Sequence, residues 1–331
     1  MTQPASGRAP SEDDGTWEGH PKSSRGYRTM VLGLLFAGIA TFAQLYSVQA
    51  VLTDMAEDFG VSPATAALSV SAATLGLAMA VIPWSWAADR LGRKRAMTWA
   101  IGIAVVFGLL LPLASSFPVL LGLRFVEGAA LGGIPAVALV YLNEEVHRLH
   151  AAVAAGTYVA GTTIGGLAGR LIAGPVAGFL DWRAGVLAVS IVAALAAVAF
   201  VWLAPAPRGF SPIVRGEGPK LWERIVLNLR SKRLLALYAQ GFLLMGGFVA
   251  VYNYLGFRLE LPPFNLPTSL VSLLFLAYLA GTVTSGMAGR MTVRFGRLPV
   301  LLASMPVMLA GLAGTLINSL PIFPIAWAKI Q

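Results

Sequence analysis

"WSWAADRLGRKRAM", residues 84–97, decides how this chain is read: an apolar run ends in one acid and four bases packed into residues 89–95. An acid at a helix C-terminus meets exposed carbonyls that already make that end negative, at a cost of about 0.3–1 kcal/mol, so Asp89 needs a cation beside it. Arg93, one turn on, supplies that charge. Gly92 lets the chain leave the helix in a conformation that other residues resist. Arg93, Lys94 and Arg95 then hold the loop at one face of a membrane.

Composition agrees with that setting. The 331-residue chain is 57% hydrophobic and 12% charged, with a mean hydropathy of +0.74, too apolar for a water-soluble domain. It has no cysteine and three histidines, which excludes a disulfide framework and a thiolate metal site and leaves little for any metal centre. The net charge of +9 would suggest a nucleic-acid partner in a soluble protein. Here the bases fall between apolar runs, so the expected partner is the lipid bilayer.

Runs of about 20 apolar residues, enough to cross a roughly 30 Å hydrocarbon core as helices, lie near 30–52, 65–88, 96–115, 118–142, 151–178, 184–204, 234–257, 268–289 and 298–316, with a tenth starting near Pro321. Asp54, Glu57 and Asp58 follow the first run, whereas Arg90, Arg93, Lys94 and Arg95 follow the second, which puts the N-terminus in the cytoplasm of a cell inner membrane. Residues 1–27 read as a disordered cytoplasmic tail without a signal-peptide core. Residues 205–233 hold seven bases (Arg208, Arg215, Lys220, Arg224, Arg230, Lys232 and Arg233) against Glu217 and Glu223, and Pro205, Pro207 and Pro212 break the helix before them. That stretch is the expected basic linker.

The chain repeats itself. Shifted by 204 residues, Pro63 falls on Pro267, Arg90 on Arg294, Gly92 on Gly296 and Arg93 on Arg297, so "DRLGR" overlays "VRFGR". This implies a parallel repeat of two six-helix halves, 28–204 and 234–331. The same shift lays Gln331 on Glu127, inside the fourth helix, so the second half is expected to be incomplete by about 60–70 residues, with three full helices and part of a tenth.

The run Ser85 to Arg95 resembles the "GxLADRxGRKR" signature between helices 2 and 3 of the major facilitator superfamily, closely from Asp89 onward and with Ser85 in place of the first glycine. The resemblance implies an all-α polytopic membrane fold. It also implies a gating loop of Asp89, Arg90, Gly92, Arg93, Lys94 and Arg95 that latches against helix 11, which would lie beyond Gln331. The second copy carries Val293 where the acid would stand, and a solvated basic loop explains Arg290, Arg294 and Arg297 equally well.

"LRFVEG" sets Arg124 and Glu127 inside an apolar run, where each charge costs at least ~2.5 kcal/mol, so the two are expected to pair on one helix face. Alternatively Arg124 snorkels to the outer interface. The spacing resembles the family's "RxxQG" motif, tied to proton transfer. With glutamate in place of glutamine, Glu127 is either a titrating carboxyl or a counter-ion.

"GTTIGGLAGRLIAGPVAG", residues 161–178, places Gly161, Gly165 and Gly169 every four residues, followed by Gly174, Pro175 and Gly178. That spacing makes a smooth face for close helix contact, with a proline kink. It resembles the antiporter signature of drug and sugar efflux branches, with Arg170 at the central glycine position. "GRL" and Asp181-Trp182-Arg183 resemble the arabinose-efflux-permease-like branch. Arg170 is a partner for Glu127, a helix-end base or part of a charge pathway.

Thr41, Gln44, Tyr46 and Gln49 on the first helix, with Gln240, Tyr252, Asn253 and Tyr254 on the seventh, line a substrate path or serve interhelical packing, because polar groups in lipid must face a cavity or one another. His147 and His150, beside Glu144, Glu145 and Arg148, read as a solvated loop rather than a metal site. The expected function is proton-coupled efflux of a small sugar or drug-like solute by a monomer using alternating access, without a cofactor; no phosphate-binding GxxxxGK(S/T) is present. The alternatives are a truncated membrane protein that does not transport and a polytopic membrane enzyme, which clustered His, Asp and Glu would mark.

Overall fold

The computed structural model describes residues 17–210, 226, 228–277, 291 and 294–314. Among them, seven stretches are long and apolar enough to span a membrane: Arg25–Ala50, Pro63–Leu91, Arg93–Leu113, Phe117–Glu145, Arg148–Phe179, Trp182–Leu203 and Lys232–Glu260. The helices are α1 (Arg25–Tyr46), α2 (Leu52–Phe59), α3 (Pro63–Leu91), α4 (Arg93–Leu110), α5 (Phe117–Leu131), α6 (Gly133–Glu145), α7 (Arg148–Phe179), α8 (Trp182–Leu203), α9 (Lys232–Glu260), α10 (Thr268–Leu273) and α11 (Arg297–Gly314). The expected eighth run begins with α10, but residues 278–290 lie outside the described residues, as does the tenth run.

Local chemistry sets the boundaries. Ser24, Ser62, Asp181 and Ser231 each cap a helix start by accepting from a backbone N–H in its first turn. Ser24 starts α1 at Arg25, earlier than the apolar run suggests. The segment before it is ordered: Trp17 Nε1 donates to Glu144 O at 3.0 Å, and His20 N donates to Glu145 O at 2.7 Å. This corrects the disordered reading for residues 17–27. The first span also ends its α-helix at Tyr46 and continues as a 3₁₀ turn through Ala50. The fourth breaks at Gly132, which packs on Leu77. Hydropathy runs through both breaks, so it could not mark them.

Gly92 separates α3 from α4 at φ 90°, and Gly296, 204 residues on, holds φ 87°. Both occupy backbone space that only glycine enters without strain, so the repeat reaches the backbone conformation of its two loops.

α1 and α7 form the tightest seam. A Cβ at Gly161, Gly165 or Gly169 would strike the carbonyl oxygen of Leu35, Ile39 or Ala43 respectively. Residues four apart on one helix therefore meet residues four apart on the other, with backbones in direct contact. Farther along α7, Gly174 and Gly178 lie against Ser272 and Ser269 of α10.

The bundle has two apolar ends and a polar waist. One end, the basic end, carries Arg93 and a core cluster built wholly from residues 27–204, including Met30, Met97, Tyr141 and Phe200. The opposite, acidic end carries Asp54, Glu57 and Asp58. Its cluster joins Val48, Met55 and Trp182 to Tyr252, Leu255 and Phe257 of α9 and Val271 of α10. The buried residues of α9 all lie between Tyr252 and Leu259. Among the described residues, the seventh span is thus sealed to the first six at the acidic end and stands apart from them toward the basic end.

Candidate functional site

At the basic end, the end of α3 is tied down as its charge demands. Arg93 forms an ion pair with Asp89 and, with Nε and Nη2, holds Glu144 Oε1 at 3.1 and 2.9 Å. Arg90 stacks over Trp86 at 3.7 Å, Lys94 Nζ reaches Ala204 O at 2.5 Å, and Arg95 faces outward. The sequence places Glu144 and Glu145 in a solvated loop, whereas they are the last residues of α6. Glu145 is buried and accepts from the backbone N–H groups of Arg208 and Gly209 at 2.6 and 2.8 Å, which pins the start of the linker. The signal for both was present: acids in a last helical turn need donors, as Asp89 does. His147 accepts from Leu149 N at the start of α7, and among the described residues no cluster of metal-ligating side chains occurs.

At the waist, Arg124 Nη1 lies 2.6 Å from Glu127 Oε2, and the two side chains are 0% and 1% exposed. Snorkelling is therefore corrected: Arg124 turns inward because it finds acceptors there. It donates to Gln44 O at 3.1 Å, Leu45 O at 2.7 Å and Ser69 O at 3.3 Å. The first two are carbonyls of the last turn of α1; Gln44 O also accepts from Ser47 N and Ser47 Oγ, so the guanidinium uses the spare acceptor capacity of a helix end. Gln44 Nε2 donates to Ala104 O, and a methyl at Gly108 would meet Glu127 Oε1 and Ser190 Oγ at 3.2 Å each. Five spans thus meet around the Arg124–Glu127 pair.

One turn nearer the acidic end, Arg170 of α7 bonds Gln49 rather than Glu127, the first of the alternatives read for it. Its Nε and Nη2 donate to Gln49 Oε1, and Gln49 Nε2 donates to Asn253 Oδ1. Tyr46 and Tyr252 stand beside the guanidinium. Of the polar residues read from sequence, Tyr46, Gln49, Tyr252 and Asn253 come together here, while Gln44 joins the waist. Thr41 bonds back to Ala37 O, and Gln240 and Tyr254 are exposed on α9. A cleft of about 1250 Å³ between α3 and α9 reaches this cluster at Asn253 and is lined also by Ser71, Thr74, Leu75 and Phe242.

Seven apolar spans around buried, paired charge define a polytopic helical membrane protein whose polar groups face its own interior. The Major Facilitator Superfamily description matches residues 34–328, and the chain belongs to that family of membrane transporters rather than to an enzyme family. It is 41% identical over 272 residues to the inner membrane transport protein YnfM of Escherichia coli (strain K12), covering 82% of this chain and 65% of that protein. It is 33% identical over 270 residues to the MFS-type transporter YybF of Bacillus subtilis (strain 168), covering 82% and 67%. The chain therefore spans about two thirds of the length of these relatives. In fold it is similar to a bacterial homologue of the human lysosomal transporter Spinster in an inward-facing, unoccupied conformation, with a TM-score of 0.74 at 20% identity over 94% of this chain and 73% of that one.

Proposed function

We propose that the chain is the body of a proton-coupled exporter of a small organic solute, working as a monomer by rocking of an N-terminal bundle (28–204) against a C-terminal one (234–331) joined by the basic linker 205–233. The observation that carries this reading is the one-ended seal: α9 and α10 pack on the first six spans at the acidic end alone. Such an arrangement is one half of an alternating-access cycle. With the N-terminus and the basic end in the cytoplasm, the sealed end faces outward and the open end inward. Glu127 is the proton carrier of the reading, because it is a fully buried carboxylate at membrane depth beside a fixed cation. The glycine intervals from Gly161 to Gly178 favour the efflux branch.

The test is a pH-gradient-driven flux assay in everted membrane vesicles with a panel of sugars and drug-like solutes, comparing the native chain with Glu127→Gln. Proton-driven accumulation that Glu127→Gln abolishes supports the reading, and accumulation indifferent to that change removes Glu127 from the coupling. Labelling of a cysteine placed at Ser24 solely from outside intact cells overturns the orientation.

A further inference from the structure

Arg170 follows the seam glycine Gly169 and is 2% exposed. Its Nε and Nη2 lie 2.9 and 2.5 Å from Gln49 Oε1, and Nη1 lies 2.8 Å from Gly166 O. The rings of Tyr46, Phe275 and Tyr252 stand 4.3, 4.7 and 5.8 Å from the guanidinium carbon. Tyr252 and Phe275 stack on each other at 5.5 Å. A strongly basic group at membrane depth is costly to keep and marks a functional position by default.

We propose that this cluster recognises a small organic anion. The carboxylate takes the Arg170 fork in place of the Gln49 amide, and the apolar body lies between Tyr46 and the Tyr252–Phe275 pair. The assignment rests on the reading of the chain as a transporter of small organic solutes and names the class of solute. Three features carry it. The guanidinium presents two parallel donors to a single neutral amide oxygen, a geometry that a carboxylate fills with one oxygen per donor and with charge-assisted bonds. Flat aromatic walls come from the first and seventh spans and from the segment after α10, so the site is assembled by both sides of the interface. Gln49, the group displaced, is also the group that bonds Asn253 across that interface at 2.5 Å. Loading the anion thus frees the oxygen of the amide whose nitrogen bridges the first and seventh spans, so the bridge loses its anchor on Arg170, and Asn253 lines the cleft beside the cluster.

The experiment is thermal melting of the purified chain in detergent, read by tryptophan fluorescence, against aliphatic and aromatic mono- and dicarboxylates, each paired with its neutral amide. Stabilisation by at least one acid and not by its amide is expected, with the apparent affinity falling about tenfold or more in Arg170→Lys, which keeps the charge but loses the fork, and falling further in Arg170→Gln. The ligand-free melting and elution of Arg170→Lys confirm that it folds. Stabilisation by none of the acids, equal stabilisation by the amides, or anion binding undiminished in both variants overturns the assignment. Flux of the binding acid into proteoliposomes separates the two readings: Arg170-dependent binding without flux sinks the transporter reading and leaves this site standing, whereas Arg170-independent flux of neutral solutes does the reverse.

Discussion

Arg93 and Glu144, 51 residues apart, meet through the Nε and Nη2 donors of one guanidinium, both within 3.1 Å of the same carboxylate. Arg93 is nearly buried and Glu144 about a quarter exposed, so the pair is shielded from solvent more than a surface bridge is. A double-mutant cycle with Arg93→Gln and Glu144→Gln should return a coupling of about 0.5–3 kcal/mol in thermal or denaturant unfolding. Strict additivity of the two single changes would show that the contact contributes nothing.

The waist pair should respond asymmetrically. Arg124 keeps three carbonyl acceptors when its partner is neutralised, whereas the hydrogen bond to Glu127 Oε2 comes from Arg124 itself. Arg124→Leu should therefore cost about 3–5 kcal/mol, the penalty for stranding a buried charge, and Glu127→Gln clearly less. Melting temperatures of the two variants check the order.

Two glycines of α7 provide a contrast within one helix. A Cβ at Gly165 would collide with Ile39 O, whereas one at Gly156 meets nothing within 4 Å. Gly165→Ala should destabilise by about 1–3 kcal/mol through overpacking, and Gly156→Ala should be neutral or stabilise by up to about 1 kcal/mol through helix propensity. Equal effects would remove the seam from the account.

The acidic end should close more readily in acid. Burial raises the Asp54 carboxyl above the ordinary aspartate value, the neighbouring Glu57 raises it further, and the Thr268 hydroxyl opposes both. Glu260 belongs to the same acidic group. If opening returns Asp54 to water, closing takes up a proton. The extra closure is then complete below the pKa of the exposed carboxyl and fades as pH rises through the higher value of the closed state. Spin labels at Ala64 and Leu270 should report a shorter mean distance as pH falls, and Asp54→Asn should flatten that dependence.

What the sequence told and what it withheld divide along one line. Features set by neighbours in the chain were readable: the four-residue glycine spacing that forms the α1–α7 seam, the three-residue spacing that puts Arg124 and Glu127 on one face, and the paired loops at Gly92 and Gly296. Features set by distant partners were not. Arg124 points inward because α1 stops at Tyr46 and offers its last carbonyls, and Glu144 is a structural anion because Arg93 arrives from another span. Arg170 chose the amide of Gln49, for which no local pattern speaks.

The α1–α7 seam fixes more than a packing distance. Tyr46 and Gln49 lie just beyond Ala43, and Arg170 just beyond Gly169, at the end of a stretch where two backbones touch with no side chain between them to yield. These two helices cannot slide or tilt against each other without separating, so on the proposed alternating-access cycle the spacing of Tyr46, Gln49 and Arg170 is expected to stay constant. On the proposed rocking-bundle reading, one wall of the proposed anion site is a rigid template, and Tyr252 and Asn253 on α9 form the wall that travels. Changes in selectivity that leave turnover intact should then map to the template, and changes in turnover that leave selectivity intact should map to the travelling wall.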